Sequence, residues 1–356
     1  MFRLTHKTLN GLAALSLLAL GCTSTSAPPP GDADAAELLE VSESRTEETS
    51  TGDDTDALEP PADIHDSTDG WEAVSACDGA YGEPLEALKL PGTKLLEISG
   101  LVSSRLNSGV FWAHNDSGAL PELWAFSADG LQTRLNVTGA QAYDWEDMAR
   151  ASCPGGDSDC LWVADMGNNL KNREELSVIV IREPKLNGES EVSASPEAIY
   201  TFSYPDDTMD AEALLVTPAG DRFFVLEKSD GDTARVFSSP EPLTTEGVMT
   251  LIELTTFDSP GEPIPYGKMV TAADLHPSGE RLAVRCYTGS WEYRFMDGQG
   301  LEHLGEITPT FVALGPLEEP QGEAIAYGAA GLDLYTASED PNALGSQPLH
   351  RYPCLP

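Results

Sequence analysis

The chain has 356 residues and a formal net charge of −39, from 59 Asp and Glu against 20 Lys and Arg. That balance excludes a nucleic-acid partner, because binding a phosphate backbone needs a basic stripe to displace counterions. It leaves room for a cationic ligand, a divalent ion or a neutral polymer.

Residues 1–22 read as an export signal. Arg3, His6 and Lys7 give a basic start, and Leu12 to Leu20 form an apolar core too short to cross a bilayer. The core ends in Leu-Ala-Leu-Gly-Cys, which resembles the lipobox of bacterial lipoproteins and makes Cys22 the expected lipidated residue. Several acyl chains on one Cys anchor stably where a single chain does not. Thr at position 23, rather than Asp, points by the same resemblance to the outer membrane. Residues 23–75 hold Pro28 to Pro30, many Ser and Thr, and acidic residues from Asp32 to Glu72 against the single basic Arg45. So polar and like-charged a stretch buries too little to offset the entropy of ordering, and it reads as a disordered spacer.

Residues 76–356 form the folded domain, and a segment that recurs five times organises it. The copies are EISGL (97–101) with FWAHND (111–116), DWEDM (144–148) with LWVADM (161–166), and DAEAL (210–214) with FFVLEK (223–228). TAADL (271–275) with LAVRCY (282–287) and QGEAI (321–325) with LYTASE (334–339) complete the set. The third residues of the pentads are Ser99, Glu146, Glu212, Ala273 and Glu323, at intervals of 47, 66, 61 and 50 residues. Each interval accommodates one four-stranded propeller blade. Apolar runs such as Val178 to Ile181, without alternation, suit strands covered on both faces. Only 33 residues follow Glu323, so the last blade needs a strand from Glu86–Gly92, which would close the ring and leave no open sheet edge. The expected fold is an all-β, five-bladed propeller. A six-bladed alternative would need a blade hidden in one of the two long intervals.

The five remaining cysteines suit an exported protein. Cys153 and Cys160 flank a turn, and Cys77 and Cys354 lie where the two ends of the ring should meet, so each pair can form a disulfide. Cys286 is left over within an apolar strand. Zinc-ligand spacing, a phosphate loop, a nucleophile elbow and an H-E-x-x-H helix are all missing from the sequence.

If the pentad and its following strand line the axis, equivalent side chains form rings. The first holds Glu97, Asp144, Asp210, Thr271 and Gln321. The second holds Ser99, Glu146, Glu212, Ala273 and Glu323. A third, at the strand ends, draws on Asp116, Asp165, Lys228, Arg285 and Glu339, with His114 close by. Carboxylates so concentrated repel one another unless cations compensate. Lys228 and Arg285 could do so internally, or hold an anion, and Ca²⁺ could do so externally.

The phrases EISGL…FWAHNDSG, DWEDMA, LWVADMGNN, DAEALLV, VTAADLHPSGERLAVRCY and QGEAIAY…LYTASE resemble secreted bacterial propellers near the phytase-like esterase and SdiA-regulated families. The resemblance implies a propeller whose carboxylates bind Ca²⁺, as in the β-propeller phytases. Three functions compete at this point. The first is an envelope-anchored, monomeric binding or scaffold module, whose acidic channel takes Ca²⁺ or a small-molecule, glycan or protein ligand. The second is a metal-assisted hydrolase of a phosphate ester, ester or glycan, with Asp144, Glu146, Asp210, Glu212, Glu323 and His114 as catalytic candidates and Glu97, Asp116 and Asp165 as further metal ligands. The third is a purely structural envelope protein.

Overall fold

The computed structural model describes residues 75–355, apart from 157, 314–318 and 341–346. The export signal, Cys22 and the acidic tether as far as residue 74 lie outside the described residues. Among those described, no helix is long and apolar enough to cross a membrane.

Five small antiparallel sheets surround one axis, each contributing its first strand to the centre. Blade 1 runs from Ile98–Ser103 at the axis through Val110–Asn115 and Glu122–Ser127 to Gln132–Val137. Blade 2 is Trp145–Ser152, Asp159–Asp165, Leu176–Arg182 and Ala198–Ser203. Blade 3 is Ala211–Val216, Phe223–Glu227, Thr233–Ser238 and Ile252–Asp258, and blade 4 is Val270–Leu275, Arg281–Cys286, Gly289–Arg294 and Thr310–Ala313. Blade 5 takes Gly322–Tyr327, Leu334–Ser338 and Pro348–Tyr352 from the end of the chain and its outer strand, Leu85–Lys89, from the beginning. The ring therefore closes as the sequence predicts. Cys77–Cys354 fastens the same seam, and Cys153–Cys160 staples the blade 2 hairpin. Cys286 is a buried free thiol. A crosslink spanning 277 residues removes unfolded-state entropy worth on the order of 5 kcal/mol.

The two long intervals contain straps, not a sixth blade. Glu191–Ala194 leaves blade 2 and pairs in parallel with the outer strand of blade 1. Met249–Thr250 likewise leaves blade 3 and pairs in parallel with the outer strand of blade 2. Each strap covers an edge that would otherwise be open to another chain. The run Met249 to Phe257 is split at Leu251 between two blades.

The core lies between blades. Trp162, Tyr200, Phe202 and Phe223 pack blade 2 on blade 3, with Trp162 stacked on Tyr200 at 5.8 Å between centroids. Trp112, Trp145 and Met148 pack blade 1 on blade 2, and Phe224, Val284 and Tyr293 pack blade 3 on blade 4. Both faces of each sheet are thus covered, which explains the apolar runs without alternation.

Candidate functional site: an acidic mouth of the channel

The repeated pentad alone forms the innermost strand, and the phrase that follows it is the second strand of the blade. Because the two run antiparallel, the start of the first and the end of the second meet at one end of the channel. There the pairing slips by one residue in all five blades. The slip falls between Ile98 and Gly100, Trp145 and Met148, Ala211 and Ala213, Val270 and Ala272, and Gly322 and Ala324. A bulge leaves one residue unpaired and re-aims its side chain. Four blades leave Ser99, Glu212, Thr271 or Glu323 between the shifted pairs, and blade 2 leaves Glu146 together with Asp147.

This register corrects the sequence reading in three places. In the fourth repeat the pentad is Met269 to Ala273, two residues earlier than TAADL. Thr271 therefore joins the ring of Glu146, Glu212 and Glu323, and Ala273 lies deeper. Asp274, which the sequence sets against Asp147 of the second repeat, makes the later register attractive. The strand-end ring is Asp116, Met166, Lys228, Tyr287 and Glu339, so Asp165 and Arg285 are out of register. Asp165 is paired with Arg173 at 2.6 Å and accepts the backbone N–H groups of Tyr143 and Asp144, so it shapes the loop that carries Asp144. Arg285 is wholly buried against Glu319 at 2.6 Å, where its guanidinium fills the space beneath Gly322 and is closed to an external anion. His114 is also wholly buried, edge-on to Trp145, and desolvation lowers its pKa to about 4, leaving it a neutral packing residue.

The other candidates gather. Asp116, Asp144 and Glu146 offer oxygen atoms that all lie within 4.8 Å of one another. Glu146 is buried, takes a 3.3 Å hydrogen bond from Ser99 on Oε2, and has no partner for Oε1 among the described residues. Glu212 is buried beside it; its Oε1 receives Lys228 Nζ, and its Oε2 has no partner among the described residues. Asp210 accepts the Asn168 backbone N–H at 2.9 Å. Glu323 and Glu339 complete the wall, with Gln321 donating to Glu339, and Glu97 stands exposed at the rim. Lys228 lies 5.4 Å from the Tyr287 ring centroid.

Burial and crowding keep these acids from ionising freely. Desolvation, then Asp144 and Glu97, raises Asp116 to about 6. Desolvation raises Glu323 to about 7 against the pull of Lys228, and desolvation with Glu323, Asp116 and Glu97 raises Glu339 to about 8. Glu146 and Glu212 are pushed well above the ordinary range, by burial first and by neighbouring carboxylates second. Burial would lower Lys228, but Glu212, Tyr287 and Glu323 outweigh it and hold the ammonium charged.

Two further residues, Gly167 and Asp147, shape the mouth. A Cβ on Gly167 would overlap Glu146 Oε1 and come within 2.5 Å of Asp144, so both carboxylates pack directly against the Gly167 backbone and only glycine lets them lie there. Below, Asp147 closes the channel: fully buried, it accepts N–H groups from Met148 in blade 2, Leu214 in blade 3 and Ala273 in blade 4, at 2.8, 3.0 and 3.2 Å. Tyr287, Gly167 and Asp147 were not singled out from sequence. Strict alignment of the second-strand phrases, sixth residue on sixth, would have found Tyr287.

The geometry defines a five-bladed β-propeller with one acidic end. No protein-family model matches the chain, and no curated protein matches it in sequence. Among solved structures, a chain of the mitotic checkpoint complex crystal structure is similar at 11% identity with a TM-score of 0.37, over 80% of this chain and 98% of that one. That likeness is too slight to bear on function.

Proposed function

We propose that this protein is a binding module whose channel mouth holds one divalent cation, Ca²⁺, between Asp116, Asp144 and Glu146. The observation that carries the reading is Glu146: a buried carboxylate with one oxygen unpartnered among the described residues, clustered with two more carboxylates and lying, with Asp144, against Gly167. Buried anions without partners cost several kcal/mol unless something compensates. Ca²⁺ binds oxygen at about 2.3–2.6 Å, so oxygens within 4.8 Å of one another can share one coordination sphere. Three clustered carboxylates favour it over Mg²⁺, which keeps its waters and takes one or two.

The loops at the same end carry exposed Leu120, Tyr143, Leu170 and Tyr266, a surface suited to meeting a partner around the ion. Two disulfides support an oxidising compartment. Tethering through a lipidated Cys22 at the outer membrane, and kinship with the secreted propellers whose phrases the sequence shares, complete the proposal. Its test is calorimetric titration of the full chain with CaCl₂. One ion per wild-type chain, and at least tenfold weaker binding in Asp144→Asn, is the expected outcome. No heat of binding in the wild type, with the protein folded, would sink it.

A further inference from the structure

We infer that the mouth is built for two cations and that the chain supplies one of them itself, as the ammonium of Lys228. The inference rests on the cation reading above for the first position, between Asp116, Asp144 and Glu146. The second position is the one Lys228 fills. Its Nζ is in contact with Glu212 Oε1, and it lies against Tyr287 and within the field of Glu323. Two carboxylates are hard oxygen donors of the kind a divalent ion takes.

The two halves are parts of one constellation. The bulge that aims Glu146 inward is the bulge that aims Glu212 and Glu323, and Glu146 and Glu212 each keep one buried oxygen without a partner among the described residues. They differ in what neutralises them. On one side a side chain enters from the second strand of blade 3, at the position held by Asp116 in blade 1. On the other, the second strand of blade 2 is followed by Met166 and Gly167, which bring no charge, and the Glu146 and Asp144 carboxylates lie against Gly167. Lys228 therefore sets the ion stoichiometry: a fixed single positive charge occupies a place that would otherwise accept a double one.

Replacing the ammonium by an isosteric apolar chain should open that place. In calorimetric titration of the full chain with CaCl₂, after EGTA treatment and exchange, Lys228→Met is expected to bind one more Ca²⁺ than the wild type. Lys228→Arg keeps the charge and is expected to keep the wild-type number. Equal stoichiometry in Lys228→Met and wild type overturns the inference. So does a Lys228→Met chain that stays unfolded even in millimolar Ca²⁺, because the ion then fails to replace the ammonium. A wild type that binds no ion beside a Lys228→Met that binds one would refute the Ca²⁺ reading of the first position, and with it the count of two cations, and leave only the assignment of Lys228 to a cation position. One ion in both would do the reverse.

Discussion

Two buried acidic regions of this protein have opposite characters. In blade 5, Glu319 accepts from Arg285 at 2.6 Å, and from Thr336 and His350 at 2.7 Å each. Burial works against its charge, yet Arg285 and the hydrogen bonds of His350 and Thr336 outweigh burial and hold it below the ordinary carboxylate range. Between blades 4 and 5, Glu292 is similarly supplied by Tyr81, Tyr327 and Arg294 at 2.8, 3.0 and 2.7 Å. At the mouth, Glu146 and Glu212 are as deeply buried but short of donors, and are pushed the other way. A carboxylate that serves the fold is saturated from within. One left unsaturated at equal depth is available to something from outside.

The largest effect that can break this contrast comes from Glu319. Glu319→Gln leaves Arg285 buried without its counterion, and should cost about 3–5 kcal/mol, read as a lower urea midpoint with an unchanged slope. A loss under 1 kcal/mol would show that the saturated cluster is not holding the ring. Next comes Gly167→Ala. It removes no ligand and changes no charge, but its Cβ would displace the Glu146 and Asp144 carboxylates that lie against Gly167. At Ca²⁺ one hundredfold above its Kd, the wild type should gain about 2.7 kcal/mol of stability and the variant nearly none. Unaltered Ca²⁺ stabilisation in Gly167→Ala would place the ion elsewhere. A smaller effect is expected from Glu146→Gln: without divalent ions, relief of repulsion should raise the melting temperature by a few degrees, about 1 kcal/mol. The same change should abolish the Ca²⁺ response.

The pH dependence sharpens the same comparison. Glu323 and Glu339 titrate near 7 and 8 when folded, above their unfolded values. The folded chain therefore binds more protons than the unfolded one, and their contribution, complete below the unfolded value, is lost as pH rises to about 8. Glu319 has the opposite sign: its contribution is present above the unfolded value and is lost as pH falls. Denaturation in EGTA at stepped pH should show stability declining from about 4.5 to about 8, a decline that flattens in Glu323→Gln and in excess Ca²⁺. A flat wild-type profile would contradict the crowding.

Much of this was readable in the sequence because repetition constrains it. Four of the five pentads were correctly aligned, so Glu146, Glu212 and Glu323 fell into one ring, and the shortage of residues after Glu323 pointed to the closing strand. The errors share a physical origin. In the fourth repeat Asp274 and Leu275 mimic the Asp-Met end of DWEDM, so the sequence favours a register two residues too late. Asp165 and Arg285 were chosen for charge over position; their partners, Arg173 and Glu319, come from parts of the chain outside the repeated segment. The straps Glu191–Ala194 and Met249–Thr250 are short edge strands, set by the neighbouring blade's open edge more than by their own residues.

The most direct measurement is a crystal structure of the full chain grown in CaCl₂. A density peak about 2.3–2.6 Å from oxygens of Asp116, Asp144 and Glu146, with Lys228 still on Glu212, is the predicted result. Glu146 turned out to bulk water, or an ion bound only elsewhere on the surface, would contradict it.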